Sequence, residues 1–276
     1  MRIAKMIARA GVCSRRDAER LVDAGRVVVN GKTLKSPAFN VSERDEILVD
    51  DKPLPQKQPV RLWRYHKPRG RVTSHKDPQG RATVFDSLPD HLPRVISVGR
   101  LDYNTEGLML LTTDGGLARH LELPSTGWRR RYRVRAFGKI TQRELDGLKK
   151  GITIDKVRYG AIEAEIERDG ANSWINMSIS EGKNREIRRV LEHLGLKVSR
   201  LIRLSYGPFQ LNELTVGAVE EVKRRVLAEQ LGKKLSDELA LGPQPQLKRV
   251  ARVGTKNGGQ SARKPSRPSS RKQPRR

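Results

Sequence analysis

Ile162-Glu163-Ala164-Glu165-Ile166-Glu167, the turn signal Asp169-Gly170, and the run Ile175-Asn176-Met177-Ser178-Ile179-Ser180 decide the fold class. Apolar and polar residues alternate with period two in both runs, so every second side chain falls on one face of an extended strand. Strands of this kind bury one face and wet the other, as antiparallel sheets do. Two of them near a turn predict an antiparallel pair and an α+β architecture, against a doubly wound parallel sheet.

Downstream, Asn184 is placed to cap a helix with inner face Ile187, Val190, Leu191 and Leu194, ending at Gly195. Arg185, Arg188 and Arg189 lie on or beside that face, and as residue types they make a basic helix surface suited to phosphates. Residues 198–204 read as a strand broken by Gly207-Pro208, and residues 217–231 as a closing helix. Upstream, Thr141-Gln142-Arg143-Glu144 is a capping box with Leu145 and Leu148 facing inward and Gly151 as the stop. Residues 129–135 alternate basic and apolar. Tyr132 shares a face with Arg130 and Val134 if no bulge intervenes, and packs in the core or at an edge. Residues 117–123 form a short helix that Pro124 ends.

Farther upstream, Val95, Ile96 and Val98 lead in as a strand that Gly99 ends, and residues 108–111 form an apolar run closed by Asp114-Gly115. Arg100, Asp102, Asn104, Thr105 and Glu106 lie between them. A polar loop between buried strands is where scaffolds present chemistry, although spacing alone favours a surface loop with an Asx-type turn at Asp102. Residues 60–66 read as a strand with Trp63 and Tyr65 on one face. Lys67-Pro68-Arg69-Gly70 then reads as a turn without a catalytic role.

At the N-terminus, Ile3, Met6, Ile7 and Ala10 recur at helical spacing before Gly11, and Ser14-Arg15-Arg16-Asp17 opens a second helix. Val27-Val28-Val29 and Asn30-Gly31 predict a β-hairpin. Arg9, Arg15, Arg16, Arg20 and Arg26 fall on the polar side, either as a solvated face or as a phosphate grip. Residues 49–59 are proline-rich and polar, and their latter part reads as an extended linker after a last short strand near Ile47-Val49. Residues 243–276 carry eleven Lys/Arg and no Asp/Glu, too polar to bury a core, and are expected to be a disordered RNA-attracting tail.

With 57 Lys+Arg against 31 Asp+Glu, the 276-residue chain has a formal charge of +26, so an anionic polymer is the natural partner. Aromatic residues make up 4%, too few for a broad base-stacking platform. The single cysteine, Cys13, excludes a disulfide framework and a Cys-rich zinc site, and fits the reducing cytoplasm. Arg2, Lys5 and Arg9 interrupt any signal core, and no apolar run is long enough to span a membrane. The five histidines show no local metal-ligand spacing, which argues against a metal-dependent nuclease, and the chain has no glycine loop for a methyltransferase cofactor.

Gly99-Arg100-Leu101-Asp102, then Thr105-Glu106-Gly107-Leu108 and Leu111-Thr112-Thr113-Asp114-Gly115, resembles the signature of the RsuA/RluB family of ribosomal RNA pseudouridine synthases. Lys67-Pro68-Arg69-Gly70 is similar to a motif early in that family. Ser14-Arg15-Arg16-Asp17-Ala18-Glu19-Arg20-Leu21-Val22 and Gly25-Arg26-Val27-Val28-Val29-Asn30-Gly31-Lys32 resemble the S4 RNA-binding domain. The stretches 184–189 and 198–203 are most similar to the subgroup that modifies large-subunit RNA.

This resemblance covers residues 1 to about 232 and implies an S4-like domain at 1–48, a linker at 49–59 and a mainly antiparallel catalytic domain at 60–232; residues 233–276 depart from it in length and composition and are expected to be a basic disordered tail. It implies Asp102 as nucleophile, Arg188 as its charge partner and Tyr132 stacked on the target uracil. Arg100 would enter the vacated space or hold a phosphate, with Arg9, Arg15, Arg16, Arg20, Arg26, Arg185 and Arg189 as further RNA contacts. Isomerisation needs no net oxidation, hydrolysis or energy input, so no cofactor is expected. Desolvation would raise the pKa of the carboxylate in a partly closed pocket, and an arginine that cannot be deprotonated offsets this. The expected partner is ribosomal RNA or a pre-ribosomal large subunit, met in the cytoplasm by a monomer. The rival readings are an enzyme for small-subunit RNA and a non-catalytic assembly factor.

Overall fold

The alternating runs pair as their pattern demands. In the computed structural model, which describes residues 1–56 and 58–241, Ile162, Ala164 and Ile166 face Ile179, Met177 and Ile175 across an antiparallel ladder. All but the half-buried Ile166 are buried, in one core cluster. The glutamates between them point outward.

The N-terminal module contains α1 (Ile3–Arg9), α2 (Arg15–Asp23), β1 (Val27–Val29), β2 (Lys32–Thr33), β3 (Ile47–Val49) and β4 (Lys52–Pro53). The Ser14 side chain accepts the Asp17 N–H and caps α2. Asn30 and Gly31, at φ of 49° and 76°, make the tight turn between β1 and β2. Ile3, Ile7, Ala18, Val22 and Val27 close a small core. β4 pairs back onto β3, and Leu54 packs on that core.

The remaining strands are β5 (Leu62–Lys67), β6 (Ile96–Val98), β7 (Glu106–Thr112), β8 (Arg130–Phe137), β9 (Ile152–Ile154), β10 (Val157–Tyr159), β11 (Ile162–Arg168), β12 (Asn172–Ile179), β13 (Lys197–Tyr206), β14 (Phe209–Gln210) and β15 (Val219–Glu221). The helices are α3 (Gly115–Glu122), α4 (Gln142–Asp146), α5 (Glu186–His193) and α6 (Arg224–Glu238). The main sheet runs β11-β12-β8-β13-β7-β5-β15. Only β13 and β7 pair in parallel. The fold is therefore α+β with a mainly antiparallel sheet.

One face of this sheet carries Tyr65, Met109, Tyr132, Val134 and Leu201 under α4 and α5. The other carries Leu62, Leu108, Leu110, Tyr206 and Phe209 under α3 and α6. Thr141 and Glu144 complete the capping box of α4.

Four local readings change. Asp114 is the N-cap of α3, its carboxylate accepting the N–H groups of Gly116 and Leu117, where a turn was expected. Asn184 does not cap α5; Arg185 occupies that position at φ 52°, and Glu186 accepts the Lys183 N–H instead. The helix expected over 217–231 begins only at Arg224, because Val219, Glu220 and Glu221 complete the sheet edge against β5. It breaks at Gly232, at φ 74° and ψ 166°, and a second helical stretch leads to Leu239 and Leu241, which are buried, so residues 233–241 belong to the folded body and not to a tail. Residues 243–276, expected to be disordered, lie outside the described residues.

Candidate active site

The loop between β6 and β7 is held from below by its own carbonyl groups. Gly99 turns the chain at φ 65°, and the Thr105 N–H closes a turn on the Asp102 carbonyl at 3.0 Å. Lys67, fully buried at the end of β5, donates to the carbonyls of Thr105 at 2.8 Å, Pro68 at 3.0 Å and Tyr103 at 3.4 Å. Arg188, on the buried side of α5, donates to the Asn104 carbonyl at 3.1 Å and the Val198 carbonyl at 3.3 Å. Thr73 accepts the Leu101 N–H and donates to the Leu101 carbonyl. Three successive carbonyls, those of residues 103 to 105, thus point at two cations, which leaves the Asp102 side chain half-buried at the top of the loop.

Gly107 makes the close approach possible. At φ 101°, its missing Cβ would lie 2.3 Å from the Arg203 carbonyl, so β7 and β13 could not meet there with any side chain.

Asp102 opens on a cleft of about 710 Å³, lined also by Tyr132, Arg185, Ile187, Leu201 and Arg203. Its floor follows from strand register. The β8–β12 ladder runs without a bulge from 130 to 137, so Arg130, Tyr132 and Val134 share the inner face. Tyr132 pairs with Arg203 on β13, and Arg130 pairs with Tyr206. Tyr132 is buried between these arginines. The Arg130 and Arg203 guanidinium carbons lie 4.6 and 5.1 Å from the Tyr206 ring centroid, and Arg130 also donates to the Tyr206 hydroxyl at 2.9 Å.

The ion pair of Asp102 is with Arg185, at 3.8 Å, and not with Arg188 as expected. The left-handed turn at Arg185 carries its side chain over the cleft mouth, while Arg188, three residues on, lies beneath the loop. Arg188 still shares the field of Asp102. Burial and Arg185 push its pKa down, and the Asp102 charge pushes it back up. Burial drives the Lys67 ammonium down to about 8. Glu106, in the first turn-out of β7, is held below the usual carboxylate range by Arg200.

Of the arginines assigned to RNA, Arg15, Arg16, Arg100, Arg185 and Arg189 are exposed. Arg9 is not free for phosphate. It donates to Asp114 at 3.1 Å and ties α1 to the start of α3. Arg20 and Arg26 are exposed but already paired with Asp17 at 3.1 Å and Asp50 at 2.5 Å. Sequence reasoning passed over Lys67, Arg130 and Arg203. Each is a cation on the apolar face of a period-two strand, in the patterns Trp63-Tyr65-Lys67, Arg130-Tyr132-Val134 and Leu201-Arg203, and that was the available signal. Among the described residues no cluster of His, Cys, Asp and Glu could hold a metal ion, and no helix is long and apolar enough to cross a membrane.

An S4-like module followed by a mixed sheet with an aspartate cleft defines a class, and comparison with known proteins narrows it. Residues 1–47 match the S4 domain model, and residues 61–193 match the RNA pseudouridylate synthase model. An uncharacterized RNA pseudouridine synthase of Rickettsia felis is 48% identical over 227 residues, covering 82% of this chain and 98% of the relative. The ribosomal large subunit pseudouridine synthase B of Yersinia pestis is 40% identical over 218 residues, 76% of this chain and 68% of that protein. A crystal structure of a pseudouridylate synthase superposes with a TM-score of 0.61 at 28% identity, covering 84% of this chain and 100% of that one. The chain belongs to the RNA pseudouridine synthases, isomerases that carry an S4 RNA-binding domain in this case.

Proposed function

We propose that this enzyme converts a uridine of large-subunit ribosomal RNA to pseudouridine, with Asp102 as nucleophile. The observation that carries the reading is the Asp102 carboxylate, half-buried in a cleft shared with Tyr132 and bordered by cations. The base must leave ribose, turn over and rejoin through C5. A carboxylate beside the sugar or the base serves this chemistry. Arg185 lies 3.8 Å from that carboxylate, and Arg188 holds the loop beneath it. The target base leaves the RNA stack at a cost of a few kcal/mol, and Tyr132 receives it by stacking. Arg100, exposed beside Asp102, takes the vacated space or a phosphate. Water must be kept from the base while it is detached. No electrons enter or leave, so no cofactor is needed.

The name of the Yersinia pestis relative supports large-subunit RNA as the substrate. Exposed Arg15 and Arg16 in the S4 module grip phosphates without reading sequence. An rRNA substrate implies the cytoplasm, and one chain carries every residue invoked, so a monomer suffices. The test is tritium release from uracil C5 in unmodified large- and small-subunit RNA. Release from large-subunit RNA alone is expected. Release from small-subunit RNA alone overturns the choice of substrate. Release from neither, with binding intact, overturns catalysis in favour of an assembly factor.

A further inference from the structure

Four lysine or arginine residues are buried among the described residues: Lys67, Arg130, Arg188 and Arg203. All four either hold the Asp102 loop or line its cleft. None is in an ion pair, although thirteen other cations of the described chain are, from Arg9 to Arg225. The four bond only to neutral oxygens. Arg203 donates through Nε to the Leu108 carbonyl at 2.7 Å. Arg130 donates to the carbonyls of Trp128, Ser180 and Glu181 and to the Tyr206 hydroxyl. Arg203 Nη2 is buried with no hydrogen-bond partner.

Buried charge without a counter-ion is costly. The buried Glu186 feels the charge of Arg130, while burial pushes its pKa up. The cleft is also lined by Asp102, Glu122, Glu181 and Glu186, yet Arg130 and Arg203 under Tyr132 form no ion pair with any of them. Buried cations held only by neutral oxygens favour an anion placed beside them.

Resting on the isomerase reading above, we propose that Arg203, assisted by Arg130, stabilises the anionic uracil that forms when the base leaves ribose. The C1′–N1 bond breaks with its electron pair passing to N1 and into the ring carbonyls. A carboxylate oxygen of Asp102 bonds to C1′ as N1 leaves. After the base turns, a ring electron pair forms the C1′–C5 bond while the Asp102–C1′ bond breaks and returns its pair to the carboxylate; the C5 proton is released, and N1 takes up a proton. The charge on the detached base exists only between these steps. Arg203 is the register partner of Tyr132 and lines the same cleft, which puts it on the face where a base stacked on that ring would lie. Donors fixed in advance toward developing charge need no reorganisation at the moment of reaction.

The experiment compares wild type with Arg203→Gln in single-turnover cleavage of C1′–N1, on RNA carrying either uridine or 5-fluorouridine at the target. Fluorine at C5 already stabilises the departing anion. A loss of about 10²-fold is expected on uridine, as for removal of one oxyanion donor. The same variant should lose under about 10-fold on the fluorinated base, with RNA affinity unchanged. No loss, an equal loss on both bases, or a loss confined to RNA affinity overturns the proposal. Arg130→Gln, read the same way, decides the matter if Arg203→Gln does not fold. Inertness of the wild type on both RNAs sinks the isomerase reading instead. An active wild type with base-independent losses in the variants sinks only this inference.

Discussion

Two faces of one sheet treat arginine in opposite ways. On the outer face, Arg129 reaches Glu163 at 2.6 Å and Arg133 reaches Glu167 at 2.6 Å, pairs that bridge over β12 between β8 and β11. These side chains are exposed to solvent, where such pairs contribute about 0–1 kcal/mol and are screened by salt. On the inner face of the same strand, Arg130 is buried and meets only carbonyls and a hydroxyl. Stability would favour the reverse arrangement, with counter-ions beside the buried cations. The outer arginines have carboxylate partners while buried Arg130 and Arg203 have none, which fits a cleft shaped by chemistry.

This contrast can be broken most forcefully at Gly107. Gly107→Ala drives a methyl into the Arg203 carbonyl and forces a positive φ on alanine. A loss of about 3 kcal/mol in urea unfolding is expected, with turnover falling as β7 and the Asp102 loop shift. An unperturbed variant would mean that β13 and β7 do not approach as closely as described.

Lys67 gives a pH signature. Its folded pKa of about 8 lies below the ordinary lysine value, so the unfolded chain binds more protons between the two. The burial penalty is present in full below pH 8 and is relieved as pH rises toward 10.5. Relative to Lys67→Met, wild type should gain stability with pH across that window. Parallel stability curves for the two proteins would show that Lys67 is not buried as a cation.

The smallest effect belongs to the outer face. A double-mutant cycle on Arg133 and Glu167 should give a coupling under about 1 kcal/mol that fades with salt, and turnover should not change. A coupling of several kcal/mol would erase the contrast.

Much of the fold was legible because its signals are local. The alternation in 162–179, the Thr141 capping box and the Asn30-Gly31 turn each depend on neighbours in sequence, and each is found in place. β15 and the late start of α6 were not legible, since Val219–Glu221 becomes a strand only because β5 offers an edge. The site divides in the same way. Asp102, Tyr132 and Arg188 came from motifs, and all three lie at or beneath one cleft. The Arg185 ion pair depends on a backbone conformation that no motif encodes. Arg9 was read as an RNA contact because its partner, Asp114, is 105 residues away.

The most direct test is tritium release from C5-labelled large-subunit RNA by wild type and by Asp102→Asn, with RNA binding measured in parallel. The substitution keeps the shape and removes the carboxylate charge. Release by wild type, none by the variant and equal binding by both are predicted. Normal release by Asp102→Asn would contradict the account at its centre.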